Sequence, residues 1–307
     1  MCAPRNSARL FDERSPKPIQ TGGTAPELQR GRCIIGIILG VDLGGSTTKL
    51  IGLSETGERF GALQISASRP EASACGAVGT FLMEQQLPLE AVEHIAVTGV
   101  GASVLPERMY GIPVQEVPEF TAIGRGGLIL SEMKEALVVS MGTGTAFVRA
   151  SEKEGFLHIG GSGVGGGTIS GLCGRLAGVR HFNSICSMAR RGNLEQVDLM
   201  VDEIFKKSGI QTLPSHLTAA NFGKWSDMAT GDDTALGVLN LVFQTIGMLA
   251  VFACRNDTVK DVVLVGTLTE ILDILPTFEQ LSELHGIRFL VPDQAVHATA
   301  LGAAMSI

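Results

Sequence analysis

The chain has 307 residues, 45% of them hydrophobic and 18% charged, with a formal net charge of −7. That supplies ample material for a packed core, and no cluster of Lys and Arg suits a nucleic-acid backbone, so no nucleic-acid partner is expected. The six cysteines form no CxxC pair and the six histidines no HExxH pattern, which excludes a zinc signature and fits a reducing compartment.

Residues 1–32 carry charges, several prolines and no apolar export segment, and read as a flexible extension of a cytoplasmic protein. Ile34–Asp42 (IIGIILGVD) then reads as a buried strand, Leu43–Ser46 as a turn, Thr47–Leu53 as a returning strand and Phe60–Ser66 as a third. A helix is predicted over Ala72–Gln86, short strands over His94–Thr98 and Val114–Val117, and a second helix from Glu119 to about Lys134.

The same opening recurs from residue 135. Ala136–Met141 is a strand, Gly142–Thr145 a small-residue turn, Ala146–Ala150 a returning strand and Phe156–Ile159 a third. Helices are predicted over Thr168–Ala177, Ser184–Arg190, Val197–Lys206 and Thr234–Cys254. Then come a strand at Val259–Val265, a helix at Thr269–Leu284, a strand at Ile287–Val291 and a closing helix at Ala295–Met305. The uncharged run Ala235–Cys254 is long enough to span a bilayer, but Asn240, Gln244 and Thr245 within it favour a helix buried in a core, and no membrane partner is expected. Two α/β units, 33–134 and 135–307, with their glycine turns facing one cleft, account for this order.

Three glycine segments can hold phosphate through backbone amides. The first, Asp42-Leu43-Gly44-Gly45-Ser46-Thr47-Thr48-Lys49, adds a carboxylate suited to a divalent cation and a lysine able to reach a transferred phosphate, although a plain hairpin with a surface lysine fits the pattern too. The second is Gly142-Thr143-Gly144-Thr145, with two hydroxyls. In the third, Gly160 to Thr168, seven of nine residues are glycine or serine directly before a helix, more than a turn requires. It contains a formal GxGxxG, but no acidic residue follows on a second strand about 20 residues later, as a dinucleotide fold demands. GxxxxGK[ST] is absent, so a P-loop is excluded. Glu119, at the mouth of a helix, is a candidate general base for a hydroxyl and equally an ordinary first-turn glutamate.

Taken together, VDLGGSTTK (41–49), PEF (118–120), MGTGTA (141–146), GGSGVGGGTISGL (160–172) and LTAANFG (217–223) resemble the type II pantothenate kinases, members of the acetate and sugar kinase, Hsc70 and actin superfamily. The resemblance implies an α/β fold of duplicated actin-like (ribonuclease H-like) nucleotide-binding domains around an interdomain cleft. It also implies a homodimer that uses ATP and Mg²⁺ to phosphorylate pantothenate. Carried onto this sequence, it makes Glu119 the general base and puts the phosphate loops on Asp42, Gly44, Gly45, Ser46, Thr47 and Lys49 and on Gly142 to Thr145. Gly163, Gly165, Gly166 and Gly167 fall near the phosphates, Gly266 and Thr267 on the adenosine side, and His158, Gly160 and Ser162 beside the acceptor, with Asp42 facing the metal. His158 stands where the family commonly has an arginine, and imidazole lacks the guanidinium fork that grips a carboxylate. A different small hydroxylated acceptor, such as an amino sugar, or an ATP-binding regulator that phosphorylates no metabolite, therefore stays open.

Overall fold

The computed structural model describes residues 36–205 and 217–307. The expected extension over 1–32, the first residues of the opening strand and the end of the helix expected over Val197–Lys206 lie outside these residues.

The first half runs β1 Ile37–Leu43, β2 Thr47–Leu53, β3 Arg59–Ser66, α1 Pro70–Gln85, β4 Val92–Thr98, β5 Arg108–Met109, β6 Ile112–Glu116 and α2 Glu119–Ser131. The second runs β7 Glu135–Met141, β8 Thr145–Ser151, β9 Gly155–Ser162, α3 Gly166–Leu176, α4 Phe182–Ala189, β10 Leu199–Met200, α5 Val201–Phe205, β11 Thr218–Ala220, α6 Gly231–Cys254, β12 Asp261–Val265, α7 Thr277–His285, β13 Arg288–Leu290 and α8 Ala298–Ala304.

The sheets repeat one plan. The first has the order β3-β2-β1-β4-β6-β5 and the second β13-β12-β7-β8-β9. In each, three antiparallel strands lead into two parallel ones, so β1, β2, β3, β4 and β6 correspond to β7, β8, β9, β12 and β13. The reason is visible in the strands. β1 and β7 are the central strands, buried almost throughout, and read as near-continuous apolar runs, whereas β3 alternates buried with exposed residues at a sheet edge.

Two helices pack away from the half that precedes or contains them. Ile123 and Leu128 of α2 join a core with Val138, Val148 and Val263 of the second sheet. Ala300, Leu301 and Ala304 of α8 pack instead with Ile51 and Leu53 of the first. Glycines permit this crossing. A Cβ on Gly126 would lie 1.8 Å from the Ala298 carbonyl oxygen, one on Gly302 1.9 Å from that of Ala122, and one on Gly40 2.1 Å from that of Ala300.

α6 is long and apolar enough to cross a membrane by length and composition. Here it is the core helix of the second half, with Val238, Leu239, Val242, Phe243 and Ile246 fully buried. A Thr230–Asp233 capping box starts it.

Three expected helices take other forms. Thr269–Leu284 is a 3-10 segment, Thr267–Ile274, followed by α7, because Pro276 forces Leu275 to an extended backbone (φ −137°, ψ 137°). The closing helix begins as a 3-10 turn, Ala295–His297, before α8. Residues 197–200 form no helix, because the buried Asp198 carboxylate accepts bonds from Thr218 Oγ1, the Phe222 amide and Asn240 Nδ2, which holds β10 against β11.

Candidate active site

β1 and β2 place the first charged pair by register alone. Asp42 and Lys49 are directly opposite across the hairpin, so both side chains leave the same face, and Lys49 Nζ lies 3.5 Å from Asp42 Oδ2. Both are buried. Burial pushes the Asp42 carboxyl above its ordinary range, and the adjacent Lys49 ammonium opposes that shift.

The equivalent β7–β8 turn faces this hairpin. Ser46 and Thr143 hydroxyl oxygens are 2.8 Å apart. Around the two turns opens a cavity of about 980 Å³, a volume suited to a nucleotide with a second small molecule. Asp42, Gly44, Gly45, Ser46, Thr47, Lys49, Glu119, Gly142, Thr143, Gly144, Thr145, His158, Ser162, Gly166, Gly266 and Thr267 all line it, whereas Gly160, Gly163, Gly165 and Gly167 do not.

The glycine-rich third segment lines the cavity at Gly161, Ser162 and Gly166 and is held by the backbone of the β7–β8 turn. The Gly166 and Gly167 amides donate to the Gly142 and Thr143 carbonyls, and the Gly165 amide to Thr168 Oγ1. A Cβ on Gly165 would lie 2.7 Å from the Thr143 carbonyl oxygen, and one on Gly144 2.9 Å from that of Ser162. Gly144 and Gly165 let two backbones touch, and the amides of Gly165, Gly166 and Gly167 are already engaged. Gly45 and Gly163 differ, since a Cβ at either position meets nothing closer than 3.8 Å. Gly266, at φ +95°, combines a left-handed backbone with an approach of 2.7 Å between a built Cβ and the Met141 carbonyl oxygen. Among the described residues, the amides of Gly45, Ser46, Thr143 and Gly144 donate to no protein group, and they sit at the two cavity-lining turns.

Glu119 is the first residue of α2, after Pro118. Its carboxyl is pushed up by desolvation at the cleft wall and by the Asp42 charge, and drawn down by His158. The His158 ring stacks on Phe120, with centroids 3.8 Å apart and planes 5° from parallel, which ties β9 to the start of α2.

Several lining residues carried no local signal. Arg180 and His181, before α4, and Phe182 and Asn183, at its start, reach the cavity, and Arg180 folds back over Gly174, where a Cβ would lie 2.6 Å from Arg180 Cγ. Leu268 and Glu270 extend the wall begun by Gly266 and Thr267, and burial pushes the Glu270 carboxyl up while Lys49 draws it down. Gln64, Val100 and Thr299 complete the first half's side.

The Fumble family model matches residues 129–282. A type II pantothenate kinase of Staphylococcus haemolyticus (strain JCSC1435) is 27% identical over 276 residues, covering 86% of this chain and 98% of the relative. Among solved structures, the activator of 2-hydroxyisocaproyl-CoA dehydratase from Clostridium difficile with bound ADPNP superposes with a TM-score of 0.64 at 16% identity, over 88% of this chain and 94% of that one. A ROK family glucokinase from Streptomyces griseus in complex with glucose and AMPPNP gives 0.58 at 13% identity, over 88% and 99%. At these identities the structural likeness is one of fold, and it identifies the two repeated sheets as a duplicated actin-like α/β fold.

Proposed function

The chain belongs to the Fumble family, and from this premise we propose that it transfers the γ-phosphoryl group of ATP to the hydroxyl of pantothenate, giving 4′-phosphopantothenate for coenzyme A synthesis. At the coarser level it is an enzyme of phosphotransferase type, an ATP-dependent kinase of a small hydroxylated metabolite. The observation that carries the reading is that Glu119 opens into the same cavity as the Gly44–Thr47 and Gly142–Thr145 turns.

In this reading the amides of Gly45, Ser46, Thr143 and Gly144 hold the phosphates, and Lys49 stabilises charge on the group in transit. Gly266, Thr267, Leu268 and Glu270, with the Arg180–Asn183 rim, take the nucleoside side. Glu119 orients the acceptor hydroxyl and removes its proton as the oxygen attacks, and its elevated pKa makes it a stronger base for that step. The Phe120–His158 stack fixes the wall beside it.

The Asp42 corner fits magnesium by donor chemistry, with one buried carboxylate oxygen donor and no cage of three or more His, Cys, Asp or Glu among the described residues. Magnesium keeps most of its waters and needs few protein ligands beside phosphate oxygens. When bound it would neutralise phosphate charge. A cytoplasmic homodimer is part of the same proposal.

A second reading is favoured by His158, which offers no guanidinium to an acceptor carboxylate: a kinase of another small hydroxylated metabolite that lacks a carboxylate, such as an amino sugar. ADP release measured with pantothenate against a panel of sugars and amino sugars separates the two. Release that no acceptor stimulates would leave an ATP-binding regulator instead.

A further inference from the structure

Arg180, between α3 and α4, lines the cavity and is exposed. Arg190 and Arg191 each hold a carboxylate, whereas Arg180 has no ion-pair or hydrogen-bond partner among the described residues. A guanidinium left unpaired on a cavity wall is open to a ligand.

Gly174 fixes where it lies. A Cβ there would sit 2.6 Å from Arg180 Cγ, 2.8 Å from Nε and 3.2 Å from Cδ, so the guanidinium begins directly over the bare backbone of α3. Gly166 and Ser170, which also line the cavity, precede Gly174 at intervals of one helical turn, so all three share one face of α3 and the cavity follows that face. At the start of the helix the Gly166 amide donates to the carbonyl of Gly142 in the β7–β8 turn. From there Gly174 lies roughly 12 Å further along the helix axis. The guanidinium therefore stands clear of a phosphate held at Gly142–Thr145 and over the space left to a nucleoside. The surroundings suit a flat ring, because Leu268 comes to 3.6 Å from a Cβ built on Gly166, and Phe182 lines the same cavity.

We infer that Arg180 is a nucleobase-binding residue, its planar guanidinium stacked on the face of the base, and that the missing side chain at Gly174 is what lets it lie there. The inference rests on the nucleotide reading of the cavity but not on which hydroxyl receives the phosphate. A guanidinium is flat and weakly hydrated, so it stacks on a π-face at small desolvation cost, whereas a lysine ammonium supplies charge without a plane.

The test is calorimetric binding of magnesium β,γ-imido-ATP and of magnesium tripolyphosphate to the full chain, Arg180→Ala, Arg180→Lys, Gly174→Ala and the double variant Gly174→Ala/Arg180→Ala. Both Arg180 substitutions should weaken the nucleotide about tenfold and leave tripolyphosphate within about twofold. Gly174→Ala pushes the arginine aside and should weaken the nucleotide about three- to tenfold, yet add nothing once Arg180 is alanine. Equal losses for tripolyphosphate, or full nucleotide affinity in Arg180→Lys, would make Arg180 a point charge for phosphate and overturn the inference. Unchanged nucleotide affinity in Arg180→Ala overturns it too. If the unsubstituted protein binds neither ligand, the kinase reading itself fails, an outcome distinct from a wrong order among the variants.

Discussion

Ser46 and Thr143, 97 positions apart in sequence, bring their hydroxyl oxygens to 2.8 Å at the meeting point of the two repeated hairpins. The contact joins the two halves beside the cavity, and both groups are exposed. Such a pair adds about 0.5–1.5 kcal/mol at most to folding. Ser46→Ala should therefore leave the melting temperature within about 2 °C while raising KM for ATP severalfold, read by denaturation and steady-state kinetics on one preparation.

The acid limb of activity should lie above the ordinary glutamate range. In the proposed mechanism Glu119 acts as a carboxylate, and desolvation together with Asp42 raises the pH at which it ionises, so kcat/KM should fall as pH drops through that raised value. His158 draws the same group down. Replacing it by His158→Gln removes that attraction and should move the acid limb to higher pH. A kcat/KM profile for both proteins checks the sign.

The α2–α8 crossing makes two glycine substitutions differ in direction. Gly302→Ala drives a Cβ to 1.9 Å from the Ala122 carbonyl oxygen, a backbone atom unable to swing aside, and should cost about 3 kcal/mol or more. Gly76→Ala on α1 meets nothing within 4 Å and should stabilise by about 0.5–1 kcal/mol. Urea titrations of the two variants provide the comparison.

Asp198 organises the β10–β11 ribbon against α6. Asp198→Ala would remove the acceptor for the Thr218 hydroxyl, the Phe222 amide and one hydrogen of the buried Asn240 amide group, whose other bond runs to Thr218 Oγ1. Three lost acceptor contacts in a shielded site should cost upwards of about 3 kcal/mol. Near-wild-type stability in the same titration would show that the ribbon hangs on other contacts.

Much of this was legible in the sequence. The hairpins and Glu119 at a helix mouth follow from period, turn residues and position, whereas the buried Asp42–Lys49 pair shows only in the strand register. The repeat, faint in residue identity, is plain in strand order. The use of the third glycine segment was not legible. Gly165 is small because the Thr143 backbone lies against it, and only tertiary packing brings those two together. The same holds for the Arg180–Asn183 rim, and for α8 crossing to the first sheet. Pro276 was in view, and it marks where a single expected helix divides.

Acceptor-stimulated ADP release is the most direct test of the central claim, measured with ATP, magnesium and pantothenate on the unsubstituted chain and on Glu119→Gln. Release should depend on pantothenate and fall by about 10²–10⁴-fold in the variant, with nucleotide affinity retained. Equal release by both proteins, or release indifferent to every hydroxylated acceptor, would contradict the assignment of this cleft to phosphoryl transfer.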